Sequence, residues 1–161
     1  MIRLHESFER LKTPGHIGLQ RFLEQYAVWS QEGIPPPYSR FDFLDWPDLV
    51  SWITVVHFPS CAENRYAAQN ARVLFDGSAR VEMFAGDMTG QSGADLEDLF
   101  LDRWVSIYSL CVREAAPVFA RSQVYGVDKE FAKFEIGLFP FSEGDGDGSV
   151  SHVLSPALRI R

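Results

Sequence analysis

The chain has 161 residues, of which 46% are hydrophobic and 14% aromatic, values typical of one globular domain with a bulky core. Its net charge of -7 without a Lys/Arg cluster disfavours nucleic acid as a partner, because a phosphate backbone would be repelled. No run approaches the roughly 20 apolar residues that span a bilayer, and the charged opening residues are not signal-like, so we expect a cytoplasmic protein.

The first part of the chain divides into an arm and a helix. Residues 1–16 carry scattered charge and end in Thr-Pro-Gly, so we expect a flexible N-terminal arm before a single domain over 17–161. In the leading segment 17–32, apolar residues recur three and four positions apart, which predicts an amphipathic helix. The apolar residues are Leu19, Phe22, Leu23, Tyr26 and Trp29. Such a helix must cover its own domain or a second copy, and we expect these residues to form a dimer or partner interface.

Two strands follow a proline-rich link at 35–37. The run "SWITVVHF" is rich in β-branched and aromatic residues and predicts the first strand. The second predicted strand covers 66–75 and alternates, so Val73 and Phe75 share the face that we expect to be buried. The turn pair Asp76-Gly77 ends it.

A segment of turn-forming residues and a predicted long helix separate these two strands from three further strands. The stretch "FAGDMTGQS" supplies the glycines and short polar side chains that a reversing chain requires. Beyond it, apolar residues from Leu96 to Cys111 predict the longest helix, which Pro117 ends. The runs "VFARSQVY", "FAKFEIGLFPF" and "VSHVLSPALRI" predict the last strands, and the alternation of the middle run indicates a sheet covered on one face.

This order of two strands, a helical crossing and three strands resembles the PAS fold. The stretches "FLEQYAVWSQEGIPPPYSRFDFLDWPDLVSWITVVHF", "YAAQNARVLFDGSARVEMFAGDMTG" and "EIGLFPFSEGDG" look like the bacterial PAS subfamily first catalogued as a domain of unknown function. The resemblance implies an α+β fold, with a five-stranded antiparallel sheet, helices on one face and an additional N-terminal amphipathic helix. It also implies a sensory or interaction module, often dimeric through the leading helix, with no catalytic residue.

A ligand of such a module would lie between the sheet and the long helix. The residues that we expect to line this space are Val73, Phe75, Trp104, Tyr108, Cys111, Phe119, Arg121 and Phe134. The alternative is that these side chains pack on one another and leave no cavity. Arg121 would recruit an acidic ligand if it were buried, because an unpaired buried charge is costly.

The residues disfavour the usual PAS cofactors. Haem-binding PAS domains commonly supply a histidine from the long helix, and this chain has none between Asp95 and Glu114. Flavin photosensors need an Asn-Cys-Arg-Phe-Leu type of motif before that helix, which is also missing. The histidines have no metal-type spacing, although His57 and His152 would approach each other across neighbouring strands, so we expect no metal.

We therefore expect a stand-alone sensory module of bacterial signalling. It would bind a small apolar or weakly acidic ligand, a second copy of itself as a homodimer, or a signalling partner. One alternative is a small α+β enzyme with an ionisable group in its cavity, for which Asp87 or His57 would serve. The other is a structural adaptor with a solid core. No Gly-x-Ser-x-Gly elbow supports catalysis.

Overall fold

The computed structural model describes residues 3–4, 9–31, 33–60, 64–84, 87, 89–92, 107–125, 132–144 and 148–160. The strands are β1 (Arg3–Leu4), β2 (Glu9–Leu11), β3 (Ile53–His57), β4 (Arg72–Asp76), β5 (Val118–Tyr125), β6 (Ala132–Ser142) and β7 (Val150–Ile160). The helices are α1 (Ile17–Trp29), α2 (Ser78–Phe84) and α3 (107–114), and short 3-10 turns occupy Tyr38–Arg40, Phe43–Asp45, Val50–Trp52 and Ala68–Asn70. None of these described helices is long and apolar enough to cross a membrane.

The strands form one antiparallel sheet in the order β1-β5-β6-β7-β3-β4, with β2 also paired to β5. The five longer strands thus lie in the spatial order second, first, fifth, fourth, third, which is the arrangement of the PAS fold. Because β1 and β2 share one edge of β5, they add a sixth position to the predicted five. The α+β class and the PAS-like sheet are confirmed.

The added edge comes from the segment that the sequence predicts to be a flexible arm. Residues Glu9–Leu11 pair with the segment Phe119 to Arg121 of β5. The Arg10 guanidinium also donates to the Glu114 carboxylate at 2.6 Å, near the end of α3. Pairing with an open sheet edge uses main-chain groups and needs no apolar alternation, so the composition of this segment does not predict it.

Alternate residues of the central strands fill two cores on opposite faces of the sheet. The α1-side core consists of Leu19, Phe22, Tyr26, Phe41, Leu49, Ile53, Val55, Phe119, Phe139, Phe141, Leu154 and Leu158. The α3-side core consists of Val56, Phe58, Ala71, Val73, Ile107, Tyr108, Cys111, Val118, Ala120, Leu138, Val150 and Val153. The sheet is therefore covered on both faces, whereas the alternation in β6 predicts one covered face.

Helix α1 covers its own domain. The ring of Phe22 lies 4.6 Å from that of Phe139, and the Tyr26 hydroxyl donates to the carbonyl of Pro140 at 2.6 Å. Leu19 and Phe22 have no exposed surface. The residues predicted to form a dimer or partner interface thus face the chain's own core, because the sheet presents an apolar face to them.

The other two residues of that predicted interface, Leu23 and Trp29, pack partly buried against the same core. The apolar side chains that α1 leaves exposed are different ones. Ile17 is 65% exposed and Val28 is 77% exposed. A partner that contacts α1 in this arrangement would therefore meet Ile17 and Val28.

A β-bulge separates Val73 from Phe75. Val55 pairs with Phe75 and Val56 pairs with Val73, so Leu74 is the extra residue between two consecutive pairs. Val73 consequently lies in the α3-side core, while Phe75 packs against the α1-side core. The prediction that Val73 and Phe75 share one face is wrong, because strict alternation does not hold across a bulge.

Candidate functional site

A cleft of about 520 Å³ opens between the proline-rich link and the connection from β6 to β7. Its lining consists of Trp29, Gln31, Ile34, Pro35, Pro36, Pro37, Arg40, Ser60, Arg65, Ser142, Glu143, Gly144, Gly148 and Ser149. The tryptophan, the isoleucine and the prolines form an apolar wall, whereas the arginines, the serines and the glutamate supply polar groups. The sequence analysis did not predict this cleft.

The proline-rich link is held to the end of β6 by hydrogen bonds. The Ser142 backbone N–H donates to the carbonyl of Pro36 at 2.8 Å, and the Ser142 hydroxyl donates to the carbonyl of Pro35 at 3.0 Å. Gly148 has a φ of +77°, and a Cβ there would lie 2.6 Å from Ile34 Cγ2. A glycine is required at this position both for the backbone conformation and for the close approach of the link.

Two guanidinium groups give the cleft a local positive charge. Arg65 is partly buried, and its Nε donates to the carbonyl of Phe58 at 3.0 Å while Nη1 donates to the Ser149 hydroxyl at 3.0 Å. Arg40 is exposed at the cleft. Among the described residues of the lining, one carboxylate, Glu143, is present beside these two cations, although the whole chain has a net charge of -7. Such a lining favours an anionic group.

At the edge of the cleft, the lining residue Glu143 forms a cluster with two histidines near the ends of three strands. His57 of β3 and His152 of β7 lie directly opposite each other. The adjacent pair is hydrogen-bonded, since the Phe58 N–H donates to the carbonyl of Ser151 at 2.8 Å. His57 and His152 are therefore a non-hydrogen-bonded pair, in which side chains approach closely, and their ring centroids are 4.6 Å apart.

Glu143 completes this His57–Glu143–His152 cluster from the end of β6. Its Oε1 atom lies 3.4 Å from His57 Nε2. One potential ligand atom from each of the three residues lies within 4.8 Å of the others. The predicted approach of the two histidines across neighbouring strands is present, because β3 and β7 are adjacent in the sheet. The sequence analysis did not identify Glu143, which belongs to an acidic loop in the sequence.

His152 is held in a fixed environment. The ring of Tyr38 stacks on it with centroids 4.2 Å apart and an interplanar angle of 6°. Ser151 Oγ lies 2.8 Å from His152 Nδ1. Burial, followed by the neighbouring His57, lowers the pKa of His152 to about 4. The imidazole of His152 is therefore neutral at neutral pH.

The residues predicted to line an inner pocket lie on both faces of the sheet. Val73, Tyr108 and Cys111 lie together in the α3-side core, where Cys111 has no exposed surface and burial raises the pKa of its thiol. Phe119 lies on the opposite face, with its ring 5.6 Å from that of Phe139. Neighbouring residues of a strand point to opposite faces, so Phe119 and the residues of the α3-side core do not line one pocket.

The remaining predicted pocket residues differ in their surroundings. The side chain of Arg121 is 49% exposed, and its Nε lies 3.9 Å from Glu135 Oε2, so it faces a carboxylate of the chain itself. Phe134 has no exposed surface, and its ring lies 6.1 Å from that of Trp52. Trp104 lies outside the described residues.

Asp87, one of the two residues named for an enzymatic alternative, is exposed in a turn. Its carboxylate accepts a hydrogen bond from the Thr89 N–H at 2.9 Å. Hydrogen bonds from Thr89 lower the pKa of Asp87. Asp87 thus has the role of a turn residue that hydrogen-bonds the backbone two positions on. The other residue named for that alternative, His57, belongs to the cluster described above.

No protein-family model matches the sequence, and no curated protein matches it. Among solved structures, the chain is similar to the crystal structure of the Rhodobacter sphaeroides LOV protein, with 11% identity, a TM-score of 0.45 and coverage of 88% of this chain and 67% of that chain. It is also similar to an RNA-binding light-oxygen-voltage receptor, with 15% identity and a TM-score of 0.44, over 80% of this chain and 36% of that chain. The PAS-like description of the fold follows from the strand order of this chain itself.

Proposed function

We propose that this protein is a PAS-type sensory or regulatory module that acts by binding rather than catalysis, and that its ligand site is the cleft beside the proline-rich link. The observation that carries this proposal is the cleft itself. Its volume of about 520 Å³ lies within the range of roughly 300–1,000 Å³ typical of small-molecule sites. An apolar wall with a few polar groups is also typical of such sites.

The lining supports a small, weakly acidic ligand with an apolar body. Arg65 is oriented by its hydrogen bonds to Phe58 and Ser149, so it loses less conformational entropy when a ligand binds. Arg40, at the exposed side, is positioned to pair with a carboxylate. The apolar body of the ligand would contact Trp29 and the prolines.

Native mass spectrometry of freshly purified protein tests this proposal. We expect a retained small acid, and we expect Arg40→Gln to weaken its binding about tenfold or more, because a hydrogen bond to a charged group contributes roughly 1.5–3 kcal/mol. The matched control is Arg21→Gln, since Arg21 is exposed on α1 and does not line the cleft. Equal binding by the two variants, or no retained molecule and no thermal shift with a panel of small carboxylic acids, would contradict the proposal.

The signalling part of the proposal needs a surface for a second copy or another protein. The exposed side of α1 supports such a surface, because Ile17 and Val28 expose apolar area there while the opposite side of the helix is buried. We propose a homodimer through this side.

A further inference from the structure

We propose that His57, Glu143 and His152 form a binding site for one divalent transition-metal ion such as Zn²⁺. This site adjoins the proposed ligand cleft and shares Glu143 with its lining, and the inference does not depend on the ligand of that cleft.

The donor set is suited to a transition metal. The cluster offers two imidazoles and one carboxylate, and imidazole nitrogen and carboxylate oxygen are common ligands of Zn²⁺ and of other first-row ions. Three protein ligands leave at least one coordination position for water or an exogenous ligand. Ca²⁺ and Mg²⁺ prefer oxygen ligands, so the two histidines disfavour them.

The distances are close to those of a tetrahedral site. With metal–ligand bonds of about 2.0–2.1 Å, neighbouring ligand atoms of a tetrahedron lie roughly 3.3–3.4 Å apart. His57 Nε2 and Glu143 Oε1 are 3.4 Å apart. One potential ligand atom from each residue lies within 4.8 Å of the other two, which is about 1.4 Å more than the tetrahedral separation. The side chains of His57 and Glu143 are 25% and 50% exposed and have room for the rotation that closes this difference.

The surroundings of His152 fit a metal-binding tautomer. Ser151 Oγ lies 2.8 Å from His152 Nδ1 and 3.4 Å from the carbonyl oxygen of Phe141, so in the proposed site the serine donates its one proton to Phe141 and accepts from His152 Nδ1–H. The lone pair of His152 is consequently on Nε2. A hydrogen bond to the second ring nitrogen orients most metal-binding histidines in this way. The stacked ring of Tyr38 fixes the plane of the imidazole.

A metal-free pair, in which His57 donates to Glu143, is the alternative explanation of the cluster. It accounts for the 3.4 Å contact between these two residues. It does not involve His152, which stands directly opposite His57 and whose ring is held by Tyr38 and Ser151. A metal site accounts for all three residues and for Ser151.

The test is metal titration of the full chain after treatment with a chelator. We expect calorimetry with Zn²⁺ to show saturable binding of about one equivalent, and Co²⁺ to give the absorption of a low-coordinate site. Glu143→Gln and His57→Gln should each weaken Zn²⁺ binding more than about tenfold, since even outer-shell changes have effects of that size. Ser151→Ala should weaken it less, as expected for a positioning residue.

The matched control is Glu24→Gln, which removes an exposed carboxylate of α1 and should bind Zn²⁺ as the wild type does. Each variant retains two of the three cluster residues as well as His5 and His16, so the comparison uses the loss of affinity relative to the wild type and not the residual binding. Circular dichroism checks folding, and Glu143 is exposed enough for its substitution to be tolerated. Absence of saturable binding by the wild type, or wild-type affinity in both variants, would overturn the proposal.

Binding in the cleft and binding of the metal are separable. Arg40→Gln should leave Zn²⁺ affinity unchanged, because Arg40 is not a member of the cluster. Two results together would therefore support the metal site independently of the ligand cleft. Glu143→Gln would lose Zn²⁺ binding, and His57→Gln would bind the small carboxylic acid as the wild type does. Unchanged Zn²⁺ affinity in both Glu143→Gln and His57→Gln, together with a loss of acid binding in Arg40→Gln, would support the cleft alone and contradict the metal site.

Discussion

At the scale of single residues, Glu135 shows how a buried charge is stabilised between helix and sheet. Its side chain is 1% exposed. Its Oε1 accepts the N–H groups of Gly15 at 2.6 Å and His16 at 2.8 Å, at the start of α1. Carboxylates are stabilised near a helix N-terminus, and Arg121 adds a nearby positive charge. Glu135 thus fixes the beginning of α1 on β6.

Replacing this carboxylate should destabilise the protein. In Glu135→Gln the amide oxygen can still accept from Gly15 and His16, but the two hydrogen bonds lose their charge assistance and the amide NH2 group replaces the oxygen that faces Arg121, so we expect a loss of about 1–3 kcal/mol in the free energy of unfolding. Urea denaturation, monitored by circular dichroism, measures this change in the free energy of unfolding. Glu24→Gln, on the exposed side of α1, should change stability by less than about 0.5 kcal/mol. Equal stability of the two variants would contradict the role given to Glu135.

At the scale of elements, α1 is a structural part of the domain rather than a free helix. The ring of Phe22 contacts several aromatic rings, including those of Trp46 at 4.9 Å and Phe139 at 4.6 Å between centroids. Edge-to-face arrangements of this kind add to the hydrophobic contribution of burial. The α1-side core therefore depends on α1.

The helix can be tested by truncating one buried and one exposed side chain. Phe22→Ala should lower the free energy of unfolding by about 3–5 kcal/mol, because it removes a fully buried ring and leaves a cavity. Leu44→Ala, at a position that is 86% exposed and lies outside the proposed dimer interface, should change it by less than about 0.5 kcal/mol. Chemical denaturation of both variants provides the comparison. A small effect of Phe22→Ala would show that α1 does not pack on the sheet in solution.

At the scale of the whole molecule, the same helix has a buried side and an exposed side. Its buried side completes the domain, and its exposed side supports the proposed dimer through Ile17 and Val28. An interface built on two apolar side chains is small and should be sensitive to a single charge.

Val28→Glu should abolish the dimer without unfolding the chain. We expect light scattering coupled to size-exclusion chromatography to give a dimer mass for the wild type and the mass of one chain, 18.3 kDa, for Val28→Glu. The matched control is Leu44→Glu, because Leu44 is an apolar residue that is 86% exposed outside α1. A wild-type mass of one chain, or a dimer that survives Val28→Glu, would contradict the proposed interface.

Local patterns predicted most elements because burial imposes a period on the chain. The apolar spacing from Leu19 to Trp29 predicts α1, and the extended runs predict β5, β6 and β7 at the positions observed. The run from Leu138 to Phe141 also indicates burial on both faces of β6, since neighbouring residues of a strand point in opposite directions. The alternation of Phe134, Ile136 and Leu138 taken alone predicts one covered face.

The candidate sites were less predictable because they join residues that are distant in sequence. The sequence predicts that His57 and His152 approach each other across neighbouring strands. The distance between their rings depends on their being a non-hydrogen-bonded pair of the antiparallel ladder, which the sequence does not show. Glu143 joins them because it directly follows the end of β6, which lies on the other side of β7 from His57. The cleft forms because the link at 35–37 is bonded to Ser142.

The sequence by itself determined the order of the elements and the amphipathic character of α1, because backbone geometry translates spacing along the chain into faces. Only the tertiary structure decided which surface α1 covers, where the bulge at Leu74 reverses the alternation, and which polar side chains meet. These outcomes depend on strand register and on contacts between distant segments, whose free energies are not encoded in any local pattern.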